Sequence, residues 1–152
     1  MNEDALADDV LCGNYGINKS ICRVSTGLPG GVAEFRGPSL GLDEIPYPNR
    51  TVLLVDSGYA TISWWNAADQ PPGRLGSRLS QATYVPGATI NADRYIPPCQ
   101  QLDALEGRHP GKKVNVAYAD GRVARKNADD LAVQKTDDGY ENRRPTWTPD
   151  GK

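Results

Sequence analysis

Residues 113–126 carry the clearest structural signal of the chain and read KVNVAYADGRVARK. Valine and tyrosine alternate with small or polar residues in the first half, which is typical of a half-buried strand. The alternation resumes through Val123, after the dipeptide Asp120-Gly121. Asp-Gly between two alternating runs favours a two-residue hairpin turn, in which both central residues take positive φ. The sequence therefore predicts a β-hairpin.

A short helix is predicted directly after this hairpin. Asn127 is a favourable N-cap residue, and Asp129 and Asp130 place negative charge in the first turn. The apolar residues Leu131 and Val133 follow and give the helix a face that can pack on the hairpin.

Two further strands are expected near the centre of the chain. Residues 51–57 form a continuous apolar run, TVLLVDS, typical of a buried strand, and residues 59–65 alternate like a half-exposed strand. Because neighbouring strand residues point to opposite faces, we expect one of Trp64 and Trp65 in the core and the other on the surface.

Composition predicts the fold class. A chain of 152 residues fits one domain, and 38% apolar residues with 16 Gly and 12 Pro favour short strands and many turns. We expect an α+β domain with a mainly antiparallel sheet, short helices and long Gly/Pro-rich loops. Residues 1–11 are expected to be a flexible acidic lead-in, 12–136 the globular domain, and 137–152 a polar tail anchored by Trp147.

The charge distribution and the hydropathy exclude some partners. The formal net charge is -2 and no run of Lys or Arg occurs, so a nucleic-acid partner is not expected. No stretch approaches the roughly 20 apolar residues that cross a bilayer. If the chain acts outside the cytoplasm, its targeting segment is expected to be removed or carried by another polypeptide.

A family resemblance begins at the hairpin. Residues 107–123, GRHPGKKVNVAYADGRV, resemble the C-terminal signature of a bacterial pilin-like family with a prepilin-type N-terminal helix, in which His is followed about nine residues later by Asp-Gly. Here ten residues separate His109 from Asp120. Residues 15–18, YGIN, and 48–57, PNRTVLLVDS, are similar to upstream family segments and occur in the same order.

The resemblance implies a structural function. It implies a pilin-like head domain that packs on a helix and assembles into a type IV pilus-like filament or a type II secretion pseudopilus, with no catalysis and no cofactor. The expected partners are other copies of the chain, a separate apolar helix subunit, or both. The expected location is extracellular, at the cell surface, or periplasmic.

The candidate catalytic residues His109 and Asp56 have structural explanations. His109 is the only histidine, so we expect its ring to bond a backbone group where the loop enters the hairpin. Turn chemistry accounts for Asp120 and Gly121, and Asp56 is expected to cap a strand end. A remote alternative is a homodimeric aspartic protease, because Asp56-Ser57-Gly58 resembles the loop that pairs two carboxylates in those enzymes.

Two other groups have alternative roles. Asp137, Asp138 and Glu141 offer oxygens for calcium, although a solvated polar turn is the favoured interpretation. An exposed member of the aromatic set is expected to serve subunit packing or, alternatively, a carbohydrate-binding or adhesion module. That set is Tyr59, Trp64 and Trp65.

The cysteines leave the redox state open. Cys12 and Cys22 are close enough in sequence to close a disulfide loop, with Cys99 left over or paired to one of them. Three free thiols in a reducing compartment are the alternative.

Overall fold

The computed structural model describes residues 15–21, 40–71 and 83–149. The predicted acidic lead-in 1–11 lies outside the described residues, as do Cys12 and Cys22 of the predicted disulfide. Cys99 is exposed and has a free thiol. In the described part of the chain, no helix has the length and apolarity that a membrane span requires.

The fold is built on a five-stranded sheet with the order β3-β1-β2-β4-β5. All its pairings are antiparallel except β1 with β3. The strands are β1 (Tyr15–Asn18), β2 (Val52–Asp56), β3 (Thr61–Ile62), β4 (Lys113–Tyr118) and β5 (Val123–Asn127), while β6 (Gln134–Thr136) and β7 (Gly139–Glu141) form a separate hairpin.

The described helices are short. The α-helix is α1 (Gln101–Glu106), and 3-10 turns cover Lys19–Ile21, Leu42–Glu44, Trp64–Ala67, Thr89–Asp93, Pro98–Gln100 and Ala128–Leu131, with one π-helical turn at Arg143–Trp147. The expected combination of a mainly antiparallel sheet with a few short helices is therefore confirmed.

The predicted β4–β5 hairpin is confirmed, but its turn differs from the predicted one. Gly121 donates to the carbonyl of Tyr118 at 2.9 Å, and Tyr118 donates to the carbonyl of Arg122 at 2.8 Å. Only Gly121 of the Asp-Gly pair has positive φ, at 87°. The connection is thus a three-residue loop that ends in a glycine bulge. Asp120 instead uses its carboxylate to accept from the Arg122 N–H at 3.0 Å.

The segment after β2 departs from the predicted strand at 59–65. Strand pairing covers only Thr61–Ile62, and the chain then turns into a 3-10 helix. The reason is local, because Asn66 Oδ1 accepts from the Ser63 N–H at 2.9 Å and closes a turn. Trp64 is consequently buried in the core. Trp65, which would then be expected on the surface, is only half-buried.

The predicted helix after the hairpin is present as a 3-10 helix, Ala128–Leu131. Asp130 accepts from the Asn127 N–H at 3.3 Å, which is the expected first-turn interaction. Asp129 has a different partner, because it accepts from the backbone and the hydroxyl of Thr89 at 2.7 and 2.8 Å. It therefore ties the helix to a neighbouring loop.

The core lies on one face of the sheet. Val55, Val114 and Val116 are fully buried on that face. Trp147 is also fully buried, and its indole N–H donates to the Leu131 carbonyl at 2.8 Å. The predicted boundary at residue 136 falls in the turn of the β6–β7 hairpin, so the segment that follows it contributes to the core.

A half-buried arginine, Arg94, fixes the loops beside this core. The Arg94 guanidinium donates to the carbonyls of Asn66 and Ala68. Burial lowers the pKa of Arg94 to about 10, although nearby Asp69 acts in the opposite direction. Because the folded pKa lies below the usual value, this group makes stability rise with pH only above about pH 10 and leaves it unchanged near neutrality.

Asn18 and Gly16 set the position of β1. Asn18 is fully buried, and its side-chain amide donates to the carbonyls of Val52 and Trp147 at 2.7 and 2.8 Å. A Cβ on Gly16 would lie 2.8 Å from the Cβ of Ser57, so only glycine fits there. β1 is thereby joined both to β2 and to the C-terminal part of the fold.

We expect Asn18→Ala to lower the free energy of unfolding by about 2–4 kcal/mol, because buried carbonyls of Val52 and Trp147 lose their donor. Urea unfolding followed by tryptophan fluorescence measures this loss. Asn49→Ala, at an exposed asparagine, is the matched control and should change stability by less than about 0.5 kcal/mol. Equal effects of the two substitutions would contradict this role of Asn18.

Candidate functional site

The second face of the sheet carries an apolar row that crosses four strands. Residues opposite each other in antiparallel strands share a face. Ile17 is opposite Leu54, Leu54 is opposite Ala117, and Ala117 is opposite Val123. We call these four residues the cross-sheet row, and the face that carries them, which is turned away from the buried valines, the open face.

The open face is exposed at both ends of the row. Ile17 is 53% exposed and Val123 is 69% exposed, while Leu54 and Ala117 between them are half-buried. Tyr15, two residues before Ile17 on the same face, is 55% exposed. Contiguous exposed apolar surface on a soluble domain marks an interaction site more often than isolated exposed residues do.

A β-bulge adds to this apolar surface. The register of β2 against β4 shifts between Val52 and Leu54, so that Leu53 is inserted in the strand without an opposite residue. Val52 is fully buried, whereas Leu53 and Leu54 are both half-buried. A bulge re-aims side chains locally, and here it allows two consecutive leucines to border the open face.

A polar cluster of Asp56, His109 and Asn115 adjoins the row. Asp56 is only 1% exposed, and its Oδ2 accepts from the Asn115 N–H at 2.6 Å. The Nε2 atom of His109 lies 3.1 Å from the same oxygen and 3.0 Å from the side-chain amide of Asn115. When the Nε2–H of His109 donates to Asp56, the same nitrogen cannot accept from the Asn115 amide, so the amide must turn its oxygen toward the ring. The tautomer of His109 and the orientation of the Asn115 amide are therefore linked.

The cluster corrects the expected role of His109. The ring bonds the side chains of Asp56 and Asn115, and not a backbone group as predicted. A buried carboxylate needs hydrogen-bond donors, and His109 supplies one from 53 residues away in sequence. Asp56 was expected only to cap the end of a strand. It is instead a buried acceptor that joins the sheet to the loop at 107–112.

Arg108 holds the same loop from its other side. Its guanidinium binds Asp103 through two hydrogen bonds of 3.0 and 2.6 Å, and it also donates to the Ser57 carbonyl at 3.3 Å. Burial by itself lowers the pKa of Arg108, but the hydrogen bond and charge of Asp103, with a contribution from Asp56, raise the pKa above its usual value. The loop is thus fastened to both α1 and the end of β2.

The structure does not bring the calcium candidates together. Asp137, Asp138 and Glu141 lie along the β6–β7 hairpin. Across the described residues, no group of three or more His, Cys, Asp or Glu side chains is arranged to hold a metal ion. Asp137 and Asp138 form the turn of this hairpin, whereas Glu141 is the last residue of β7.

The aromatic candidates also do not form one exposed surface. Trp64 packs in the core against the Tyr140 ring, with centroids 4.9 Å apart, and the Arg143 guanidinium lies 4.4 Å from its ring. Tyr59 and Trp65 are half-buried. A flat platform of tryptophans, as carbohydrate stacking requires, is not present at Trp64.

The open face and Asn115 of the polar cluster were not predicted from the sequence, whereas His109 and Asp56 were both identified, although not as partners. Ile17 belongs to a four-residue strand, which is too short for its periodicity to reveal which face is exposed. Asp56 and Asn115 both lie inside the family-like segments, and their occurrence beside His109 in those segments was the available signal.

Comparisons of the chain with protein-family models, curated proteins and solved structures found no match. The three segments that resemble the pilin-like family form neighbouring strands, because residues 15–18 are β1, 48–57 contain β2, and 107–123 contain β4.

We expect Asp56→Ala to lower the free energy of unfolding by about 2–4 kcal/mol, since the N–H of Asn115 and the ring of His109 lose a buried acceptor. Asp93→Ala removes an exposed carboxylate and is expected to cost less than about 0.5 kcal/mol.

A double-mutant cycle that combines Asp56→Ala with His109→Ala tests the pair directly. We expect the sum of the losses of unfolding free energy in the two single variants to exceed the loss in the double variant by about 1 kcal/mol, because each single substitution removes the same contact. Strict additivity of the two losses in urea unfolding would show that the contact contributes nothing.

Proposed function

We propose that this domain is the head of a pilin-like filament subunit and that its open face packs against an apolar helix. The helix is carried either on the same polypeptide or on a separate small subunit. The observation that carries the proposal is the cross-sheet row, which is apolar across four strands and exposed at Ile17 and Val123. The filament is a type IV pilus-like fibre or a type II secretion pseudopilus.

The size of the row fits a single helix. Neighbouring strands lie about 4.8 Å apart, so a row across four strands is about 14 Å wide. A helix with its side chains is about 10–12 Å in diameter. A helix laid with its axis along the row covers it from Ile17 to Val123 with about ten residues, because a helix rises about 1.5 Å per residue.

Energetics favour a tethered or multivalent partner. Complete burial of Ile17 and Val123 contributes about 1.5–3 kcal/mol for each side chain. Free association of two molecules costs about 4–15 kcal/mol in lost translational and rotational freedom. Two anchors of this size do not hold an unlinked helix tightly, but they suffice when the helix is covalently linked or when many subunits assemble along one filament.

The polar residues beside the row are compatible with such packing. Asp56, His109 and Asn115 bond one another, so covering this part of the face leaves the Asp56 carboxylate satisfied. Arg125 is opposite Asn115 on β5 and is exposed. The row thus has an apolar centre with polar neighbours, which is the usual anatomy of a protein interface.

The resemblance supports the same function independently of the row. Its segments at 15–18, 48–57 and 107–123 are separated in sequence, yet they supply the adjacent strands β1, β2 and β4. We propose that the domain acts by packing, and that its one histidine has a structural role through its contacts with Asp56 and Asn115. A filament head of this type acts outside the cytoplasm by packing against its neighbours.

We expect Val123→Glu to prevent the chain from copurifying with surface filaments or with a small apolar helical subunit. The substitution places a charge on the open face, where helix packing would desolvate it. Because Val123 is 69% exposed in the domain, folding should be unaffected, and the circular dichroism spectrum and the urea midpoint should match those of the unsubstituted chain.

Leu102→Glu is the matched control for this experiment. Leu102 is 75% exposed on α1, so the change of chemistry and the exposure are comparable, but the residue does not belong to the sheet. We expect Leu102→Glu to copurify normally. Normal copurification of Val123→Glu, or equal loss with both variants, would overturn the assignment of the open face.

A further inference from the structure

A cleft beside the hairpin turn is separate from the open face. It has a volume of about 230 Å³ and lies between the turn at residues 48–50, the β4–β5 hairpin and the 3-10 helix that follows β5. Its lining includes the cationic side chains of Arg50, Arg122 and Lys126, and one carboxylate, Asp130. Packing of a helix on the cross-sheet row does not require this cleft.

The cations of the cleft differ in how they are held. Arg122 lies over the Tyr118 ring, 4.2 Å from its centroid, and donates to the Asn49 carbonyl at 2.6 Å. Arg50 and Lys126 make no side-chain hydrogen bond or ion pair within the described residues. Two cationic groups in the lining are therefore available to a ligand, next to a third that is fixed in place.

The walls of the cleft are joined by hydrogen bonds. Ala119 and Asp120 in the hairpin turn donate to the carbonyls of Thr51 and Pro48 at 2.9 and 3.2 Å. The Thr51 hydroxyl lies 2.9 Å from the Tyr47 carbonyl and 3.0 Å from the Pro145 carbonyl, and its single proton is donated to one of the two. A site whose walls are already held together loses less conformational entropy on binding, which favours affinity for a small ligand.

We propose that this cleft binds a phosphate monoester. Three cations face one carboxylate there, although the chain as a whole has a formal net charge of -2. The local excess matches the charge of about -1.5 to -2 that a phosphate monoester carries near pH 7. A monocarboxylate would neutralise only part of it.

The remaining lining fits the rest of such a ligand. Arg50 and Arg122 present planar groups of N–H donors, which bind phosphate oxygens through paired hydrogen bonds. Tyr118 and Leu131 are almost fully buried and form the floor of the cleft, and the exposed Arg122 guanidinium covers one face of the Tyr118 ring. The carbon part of an aromatic ester can stack on the outer face of this guanidinium plane. Nucleic acid is not indicated, because a single cleft is not the extended basic stripe that a phosphate backbone requires.

The test is an NMR titration of the full chain with phenyl phosphate at constant ionic strength, with inorganic phosphate and benzoate as comparison ligands. We expect saturable amide shifts at Arg122 and Lys126 with phenyl phosphate, weaker binding of inorganic phosphate, which lacks the apolar part, and weaker binding still of benzoate.

Variants distinguish binding of the ligand in the cleft from nonspecific attraction of the ligand to the charged protein surface. Lys126→Gln and Arg50→Gln should each weaken phenyl phosphate binding by about fivefold to tenfold, because each removes one charge-assisted contact. Arg125→Gln removes the same charge from the adjacent β5 residue, which is on the open face, and should change affinity less than about twofold.

Three outcomes would overturn the proposal. The first is the absence of saturable shifts at the cleft. The second is equal weakening by Lys126→Gln and Arg125→Gln, which would indicate nonspecific electrostatics. The third is equal affinity for inorganic phosphate and phenyl phosphate, which would remove the ester from the proposal. None of these depends on filament assembly.

Discussion

The pairing register of β1, β2, β4 and β5 is the constraint on which both faces of the sheet depend. Side chains alternate between the two faces, so a slip of one residue would expose the buried valines and turn the cross-sheet row toward the core. Asn18 and Gly16 oppose such a slip at β1, one through buried hydrogen bonds and the other through a close approach to Ser57. The same register therefore determines which side chains form the core and which lie on the open face.

The polar cluster extends this constraint to the loop before β4. Asp56 ends β2 as a buried carboxylate, and it is satisfied by the backbone of Asn115 and the ring of His109. Arg108 fastens the same loop to Asp103 and to the Ser57 carbonyl. The loop at 107–112 is consequently held by the sheet, and the histidine of the family-like signature has a structural explanation that does not involve catalysis.

Local patterns in the sequence predicted the elements that local chemistry controls. The alternation at the start of 113–126 predicted β4, and the apolar run at 51–57 predicted β2, because each of these strands has a buried face. β5 is exposed along most of its length, and the Asp120-Gly121 turn identified it as the second strand of the hairpin. Asn127 and Asp130 similarly identified the start of the 3-10 helix after the hairpin.

The features that sequence did not predict depend on contacts between distant residues. The partner of His109 is 53 residues away, and the exposure of Ile17 depends on which elements cover β1. Residues 59–65 alternate like a strand, but the Asn66 side chain closes a turn there instead. The basic cleft combines residues from the turn at 48–50 with residues of the hairpin, so no continuous motif marks it.

Hydroxyl-radical footprinting with mass spectrometry, on the isolated chain and on the chain within its filament, tests the central claim most directly. Tyr15, Ile17 and Val123 are exposed in the isolated domain and should become protected in the filament, whereas Tyr95, which is 70% exposed away from the sheet, should be protected less. Undiminished oxidation of the open-face residues in assembled filaments would contradict the account.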